Sequence, residues 1–133
     1  MRLQFEFSVG GAYHPSGFGQ WQISLTEDGS FYPVHHLRDE RIAYGPFTLV
    51  EAENEAVWRL IEAAAISRRP ETFQRLGLPD ETAYIFSLTE SNTTDTVEIW
   101  ADDAAQDEAL AALVTYLETL LTTYVQPSPP FLR

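Results

Sequence analysis

The amino-acid sequence predicts one α+β domain, in which an antiparallel sheet of about five strands carries two helices on one face. Several short segments alternate apolar and polar residues with the period of two that is typical of half-buried strands. Two longer segments repeat apolar residues at the spacing of one helical face. Only a few turn-forming residues separate neighbouring strands, which favours antiparallel pairing. The predicted order is β-β-β-α-β-β-α.

The first two predicted strands occupy residues 3–9 and 20–26. Large apolar residues alternate with polar ones in both, namely Leu3, Phe5, Phe7 and Val9, then Trp21, Ile23 and Leu25. Gly10-Gly11 ends the first strand. Residues 10–19 hold four glycines and a proline, a composition that suits neither a strand nor a helix.

A third strand, residues 31–36, follows a turn in which Gly29 can adopt a positive φ angle. Pro33 lacks an N–H group and cannot donate to a neighbouring strand, so we expect this strand to lie at a sheet edge or to be irregular. Residues 37–46 are polar and charged and are predicted to form a loop. Residues 47–50 suit a short strand or the entry to a helix.

The first helix is predicted over residues 51–67. Its inner face consists of Val57, Trp58, Leu60, Ile61, Ala64 and Ala65. Thr48 and Glu51 have the spacing of a capping box at its start. Residues 71–81 form a connection that has room for one helical turn at residues 72–76.

A second hairpin follows, with strands at residues 82–89 and 94–100. The last helix is predicted over residues 103–124, where Asp103 can cap the start and Gln106 stands three positions later. Its apolar stripe consists of Leu110, Leu113, Val114, Leu117, Leu120, Leu121 and Tyr124.

Prolines at positions 127, 129 and 130 prevent the last helix from continuing. The chain is therefore divided into a single domain, residues 1–126, and a proline-rich C-terminal tail, residues 127–133.

The charge of the chain is strongly acidic. Eight arginines and no lysine oppose 20 acids, for a net charge of −12. No positive side chain occurs between Leu76 and Leu132. Such a surface repels phosphate groups, so nucleic-acid binding is disfavoured and a basic protein partner fits better. No apolar run is long enough for a transmembrane helix, and the first residues alternate as in a strand and do not resemble a signal peptide, so the cytoplasm is the expected location. The absence of cysteine is compatible with either redox compartment.

The loops after the first and third strands are expected at the same end of the sheet. Because strands two and three reverse the chain direction, residues 10–19 and the segment after His36 should emerge together. This end gathers the candidate binding residues Tyr13, His14, Phe18, His36, Arg38, Asp39, Glu40, Arg41 and Tyr44. Loops that are held by a rigid sheet frequently carry binding groups.

The same residues allow a metal-dependent hydrolase as an alternative, with His14, His36 and Asp39 as the acting groups. If His35 and His36 both lie in a strand, their side chains point to opposite faces and cannot share one ion. No zinc-protease, phosphate-loop or serine-hydrolase motif occurs in the sequence. We therefore predict no cofactor and no metal.

Part of the chain resembles the emfourin-like small proteins, a group that includes inhibitors of thermolysin-type metalloproteases. The resemblance is carried by Gly10-Gly11, by Pro79-Asp80 with Tyr84, and by the acidic entry and leucine stripe of residues 102–121. It covers roughly the C-terminal half and the first strand. It implies a non-catalytic protein that binds a partner, and a protease as one candidate partner.

Three hypotheses follow from the sequence. The first is a small binding or inhibitor-like domain with a protein partner. The second is the metal-dependent hydrolase. The third is a structural module, either a monomer or a homodimer that forms through the Pro33 strand or the open face of the sheet.

Overall fold

The computed structural model describes residues 3–10, 20–36, 40–77 and 81–125. The strands are β1 (Leu3–Gly10), β2 (Gln20–Thr26), β3 (Ser30–His36), β4 (Arg41–Ala43), β5 (Phe47–Thr48), β6 (Ala83–Glu90) and β7 (Thr93–Trp100). The helices are α1 (Glu51–Ala64), α2 (Ala101–Ala105) and α3 (Glu108–Tyr124), with a short 3-10 turn at Ile66–Arg68 after α1. The predicted α+β class with an antiparallel sheet is confirmed.

The strand count and order differ from the prediction. All seven strands belong to one antiparallel sheet. Six of them follow the order β4-β3-β2-β1-β6-β7, and β5 pairs with the start of β3 while β4 pairs with its end. The second hairpin, β6–β7, joins the sheet beside β1, where eight residue pairs connect β6 to β1. The first strand of the chain is therefore central, and β7 is an outer edge.

One face of the sheet is buried under the helices. The alternating apolar residues of the strands form it, namely Phe5, Phe7, Val9, Trp21, Ile23, Leu25, Phe31, Tyr84, Phe86 and Val97. They pack with the inner residues of α1 and with the leucine stripe of α3 in one core. The predicted inner face of α3 is thus confirmed, and so is that of α1 except for Ala65, which lies beyond the end of the helix and outside the core. Both helices lie on the same side of the sheet.

The long C-terminal helix that was predicted from Asp103 is wrong at its start. The chain forms α2, breaks at Gln106, and begins α3 after Asp107. The Asp107 carboxylate accepts the backbone N–H of Leu110 at 3.1 Å and therefore caps α3. The guanidinium of Arg69 binds the same carboxylate with both terminal nitrogens, which fixes the cap from outside the helix.

The first helix also differs at both ends. Thr48 lies in β5, and the first residue before the helix is Val50, whose N–H donates to the Glu53 carboxylate at 3.2 Å. The helix ends at Ala64 rather than residue 67, because Ala65 adopts a left-handed conformation with φ 49°.

Strand β3 is paired irregularly on the side away from β2, and Pro33 lies at the interruption. In β3 the carbonyl of Pro33 accepts the N–H of Tyr44, so the backbone groups of Pro33 point away from β2. Its missing N–H therefore breaks no bond with β2. The residues predicted as a loop include the short strand β4, which pairs with β3 on one side of Pro33 while β5 pairs on the other. The Pro33 strand is thus irregularly paired and is not the outermost strand.

The connection between α1 and β6 contains no helical turn at residues 72–76. It lies instead against the end of β7, as described below. Among the described residues, no helix combines the length and the apolar character that crossing a lipid bilayer requires.

Candidate protein-binding site

The described residues that flank the two predicted binding loops lie at one end of the sheet. Gln20, at the start of β2, pairs with His36, at the end of β3, and His36 pairs with Arg41 in β4. Val9, next to the end of β1, pairs with Trp21. The predicted site residues Tyr13, His14, Phe18, Arg38 and Asp39 lie outside the described residues.

The described members of this predicted site are divided between two faces of the sheet. His36 lies on the open face, where its Nε2 atom is 3.1 Å from the Oε1 atom of Gln22. Gln22 in turn donates to the Glu6 carboxylate. Tyr44 lies on the helix side, stacked against Trp21 with ring centroids 5.9 Å apart. The structure therefore does not bring Tyr44 together with His36.

The two adjacent histidines also face opposite ways, as pleating predicts. His35 is 8% exposed and stacks on Trp21 with ring centroids 4.2 Å apart, while His36 is half-buried on the open face. Within the described ranges, no group of three or more His, Asp or Glu side chains could hold a metal ion.

A second candidate site is the outer edge of β7, which the sequence did not single out. The N–H of Glu98 points away from β6, because it donates to the carbonyl of Glu71 at 2.9 Å. Backbone groups of an antiparallel strand alternate in direction, so those of Thr94 and Thr96 also point outward. These outward N–H and C=O groups have no partner among the described residues.

The far end of the same edge is covered by residues 69–77, which we call the strap. Beyond the Glu71–Glu98 bond, Phe73 stacks on Trp100 with ring centroids 4.1 Å apart. The indole Nε1 of Trp100 donates to the carbonyl of Arg75 at 3.1 Å. A Cβ atom on Gly77 would lie 2.3 Å from the Trp100 ring, so only glycine permits this close approach.

Two arginines fix the strap to the rest of the domain. Arg69 donates to the carbonyl of Ala64 at 2.6 Å and binds Asp107. Arg75 binds Glu81 and Asp103, and the hydrogen bond to Glu81 raises the pKa of its guanidinium. The strap is therefore held at both ends, and it leaves the edge of β7 uncovered from Thr93 to Thr96.

The uncovered edge carries unneutralised negative charge. Four acids lie on β7 or beside it: Glu71, Glu90, Asp95 and Glu98. None of them forms an ion pair with an arginine among the described residues. This part of the surface combines unpaired backbone groups with negative charge, which is the chemistry that an added basic strand would complement.

No protein-family model matches this chain, and no curated protein sequence matches it. A sequence signal for the β7 edge does exist, since a hairpin strand that is followed directly by a helix has only one neighbour along the chain. Without the strand order, that signal could not distinguish an edge from an interior strand.

Proposed function

We propose that this protein is a small, non-catalytic, protein-binding domain that captures an extended segment of its partner along the edge of β7. The observation that carries the proposal is the outward-facing backbone of Thr94 and Thr96, which has no hydrogen-bond partner among the described residues, in a sheet whose opposite edge is shielded by β4 and β5. Addition of a strand to an exposed sheet edge is a recurrent way of binding peptides, in which backbone hydrogen bonds supply the affinity.

The size of the uncovered stretch sets the strength of this interaction. Thr94 and Thr96 together offer two N–H donors and two C=O acceptors. Each hydrogen bond contributes about 0.5–1.5 kcal/mol net, and ordering a flexible peptide offsets much of that gain. The backbone contacts alone therefore give weak binding, and side chains of the segment must supply the remainder.

Two features bear on the identity of the partner, namely the chemistry of the β7 edge and the family resemblance. The likeness to emfourin-like proteins favours a metalloprotease. We propose the cytoplasm as the location, since a chain without cysteine needs no oxidising compartment for folding. The metal-dependent hydrolase with His14, His36 and Asp39 stays a prediction, which calorimetric titration with zinc, manganese or nickel tests.

The Thr96→Pro variant tests strand addition directly. Proline at this position removes an N–H that β6 does not use, and its ring obstructs an incoming strand. Peptides selected from a random display library on the wild-type domain should shift the amide resonances of residues 93–97 and should lose binding to Thr96→Pro. The matched control is Thr96→Ala, which also lacks the hydroxyl that contacts Ser87 but retains the N–H.

Selected peptides that bind Thr96→Pro as tightly as the wild type would overturn strand addition at β7. A separate assay addresses the protease partner. Inhibition of a thermolysin-type metalloprotease by the wild type, and its loss in Thr96→Pro, would identify the edge as an inhibitory surface. Unchanged protease activity at a large excess of the domain would remove the metalloprotease while leaving the binding edge in place.

A further inference from the structure

We infer that the segment captured at β7 is basic, with lysine or arginine on both of its sides and an apolar side chain beside Val97. This inference rests on the proposed function, because it assigns the chemistry of the partner at the same edge. It follows from which charges near the edge are already neutralised and from what each face of β7 presents to a neighbour.

The arginines near β7 are mostly engaged elsewhere. Arg69 is bound to Asp107 and Arg75 to Glu81 and Asp103, so neither neutralises the edge. Arg68 lies in the 3-10 turn, which packs against β7, and it forms no ion pair with a described acid. Near β7, a single arginine without an ion pair therefore opposes the negative charge of four acids, namely Glu71, Glu90, Asp95 and Glu98.

A second copy of the chain is a poor occupant of this edge. Self-pairing of β7 would bring two chains of net charge −12 together and would place Asp95 and Glu98 close to the same acids of the other copy. Like charges across paired strands are destabilising. A segment of opposite charge gains from the same arrangement, and opposite charge also speeds the encounter of the two molecules.

The alternation of β7 assigns positions to the side chains of the added segment. On the helix side, Val97 is 3% exposed and continues the core, while Asp95 is half-buried beside it. On the open side lie Thr96 and Glu98. On the helix side, the added segment should therefore place an apolar residue beside Val97 and a basic residue beside Asp95. The residue between these two points to the open side, near Glu98, and should also be basic.

Synthetic peptides test this inference. Three acetylated and amidated peptides of about eight residues share an alternating threonine–valine frame and carry lysine, glutamine or glutamate at the basic positions. Each is titrated into the ¹⁵N-labelled full chain, and the amide shifts of residues 93–97 report binding. We expect the lysine peptide to bind at least about tenfold more tightly than the glutamine peptide, and the glutamate peptide to bind least.

Variants of the domain separate local charge from the overall charge. Asp95→Asn with Glu98→Gln should reduce the difference between the lysine and glutamine peptides to less than about threefold. The matched control removes two acids on the exposed part of α1, Glu55→Gln with Glu62→Gln, and should leave the difference unchanged. Raising the salt concentration should weaken the lysine peptide and should hardly affect the glutamine peptide.

The outcomes distinguish this inference from the proposed function. Equal binding of the lysine and glutamine peptides at residues 93–97 would overturn the basic segment but retain strand addition. Peptides that shift no amide of β7 would overturn both. Lysine-dependent shifts that spread over α1 would show unspecific attraction and would also overturn the inference. A dimer in sedimentation that Thr96→Pro dissociates would make a second copy the occupant.

Discussion

The two edges of the sheet are protected from unwanted strand pairing in different ways. At one edge, β3 carries Pro33 and is flanked by the short strands β4 and β5, so little of its backbone is open to pairing. At the other edge, β7 is eight residues long, and the part of the chain that the structure describes covers it at Glu98–Trp100, through the strap. Unpaired edges are prone to association, and natural sheets shield them with short strands, proline or charge.

The two edges therefore differ in the kind of neighbouring strand that each of them admits. Short strands and proline exclude any incoming strand from the β3 edge. The β7 edge relies on Asp95 and Glu98, and charge excludes only partners of the same sign. An edge that carries acids repels a second copy of this acidic chain, and the same charge favours the basic segment that we propose.

The largest predicted effect is on the free energy of unfolding. It compares proline at a β7 position whose backbone groups face β6 with proline at a position whose backbone groups face outward. Asp95 pairs with Leu88, and its N–H points toward β6. Asp95→Pro should therefore lower the free energy of unfolding by about 3 kcal/mol or more, whereas Thr96→Pro should lower it by about 1 kcal/mol or less. Urea unfolding of both variants measures the difference. Equal losses would show that the assigned direction of the backbone groups is wrong.

The second predicted effect concerns the strap. Gly77→Ala places a Cβ atom 2.3 Å from the Trp100 ring, so the strap must move, at a cost of about 1–3 kcal/mol. Hydrogen exchange at the Glu98 amide should become faster, because its bond to Glu71 is loosened. The neighbouring control, Leu76→Ala, changes a side chain that is 94% exposed and should alter neither quantity. Unchanged exchange at Glu98 in Gly77→Ala would contradict the role of this contact.

A smaller effect is expected from acid. The hydrogen bond from Arg69, with help from the Leu110 N–H, lowers the pKa of Asp107 in the folded state, against the opposing effect of burial. A lowered folded pKa stabilises the domain above the unfolded pKa of about 4, and this stability is lost as the pH falls through the folded value.

Asp107→Asn retains a good capping residue and removes this titration. Between pH 5 and pH 2, the wild type should therefore lose about 1 kcal/mol more stability than the variant does. Denaturant unfolding of both proteins at each pH provides the measurement. Parallel losses in the two proteins would show that Asp107 does not contribute to acid sensitivity.

The smallest effect is expected at the shielded edge. Pro33→Val restores an N–H that points into the gap between β4 and β5, where no ladder bond with β2 is at stake. The stability should fall by about 0.4–1 kcal/mol, chiefly because the unfolded chain becomes more flexible. Thermal unfolding measures this change. A loss above about 2 kcal/mol would show that packing of the Pro33 ring, rather than chain stiffness, maintains this edge.

Local patterns predicted the strands and the buried faces because each depends on neighbouring residues. The alternation in residues 3–9 identified the buried side of β1, and the pleating argument separated His35 from His36. The helix starts were less predictable. Asp103 and Asp107 both precede the leucine stripe, and the choice of Asp107 depends on Arg69, which lies 38 residues earlier. No local spacing contains that contact.

The candidate site shows the same division. The sequence grouped His36, Arg41 and Tyr44 by their position at one end of the sheet, but it could not show that Tyr44 stacks on Trp21, on the side opposite His36. It also could not identify β7 as an edge, because an edge is defined by the absence of a neighbour and hence by the order of all the strands.

The fold class, the buried faces and the acidic charge could be predicted from the sequence, since periodicity and composition are properties of short segments. The central position of β1, the edge position of β7 and the end of the strap at Glu98 emerge from the assembled sheet. These features depend on hydrogen bonds and packing between residues that are far apart in the chain, such as Glu71 with Glu98 and Arg69 with Asp107. Those contacts form, and stabilise the domain, only when the sheet has assembled.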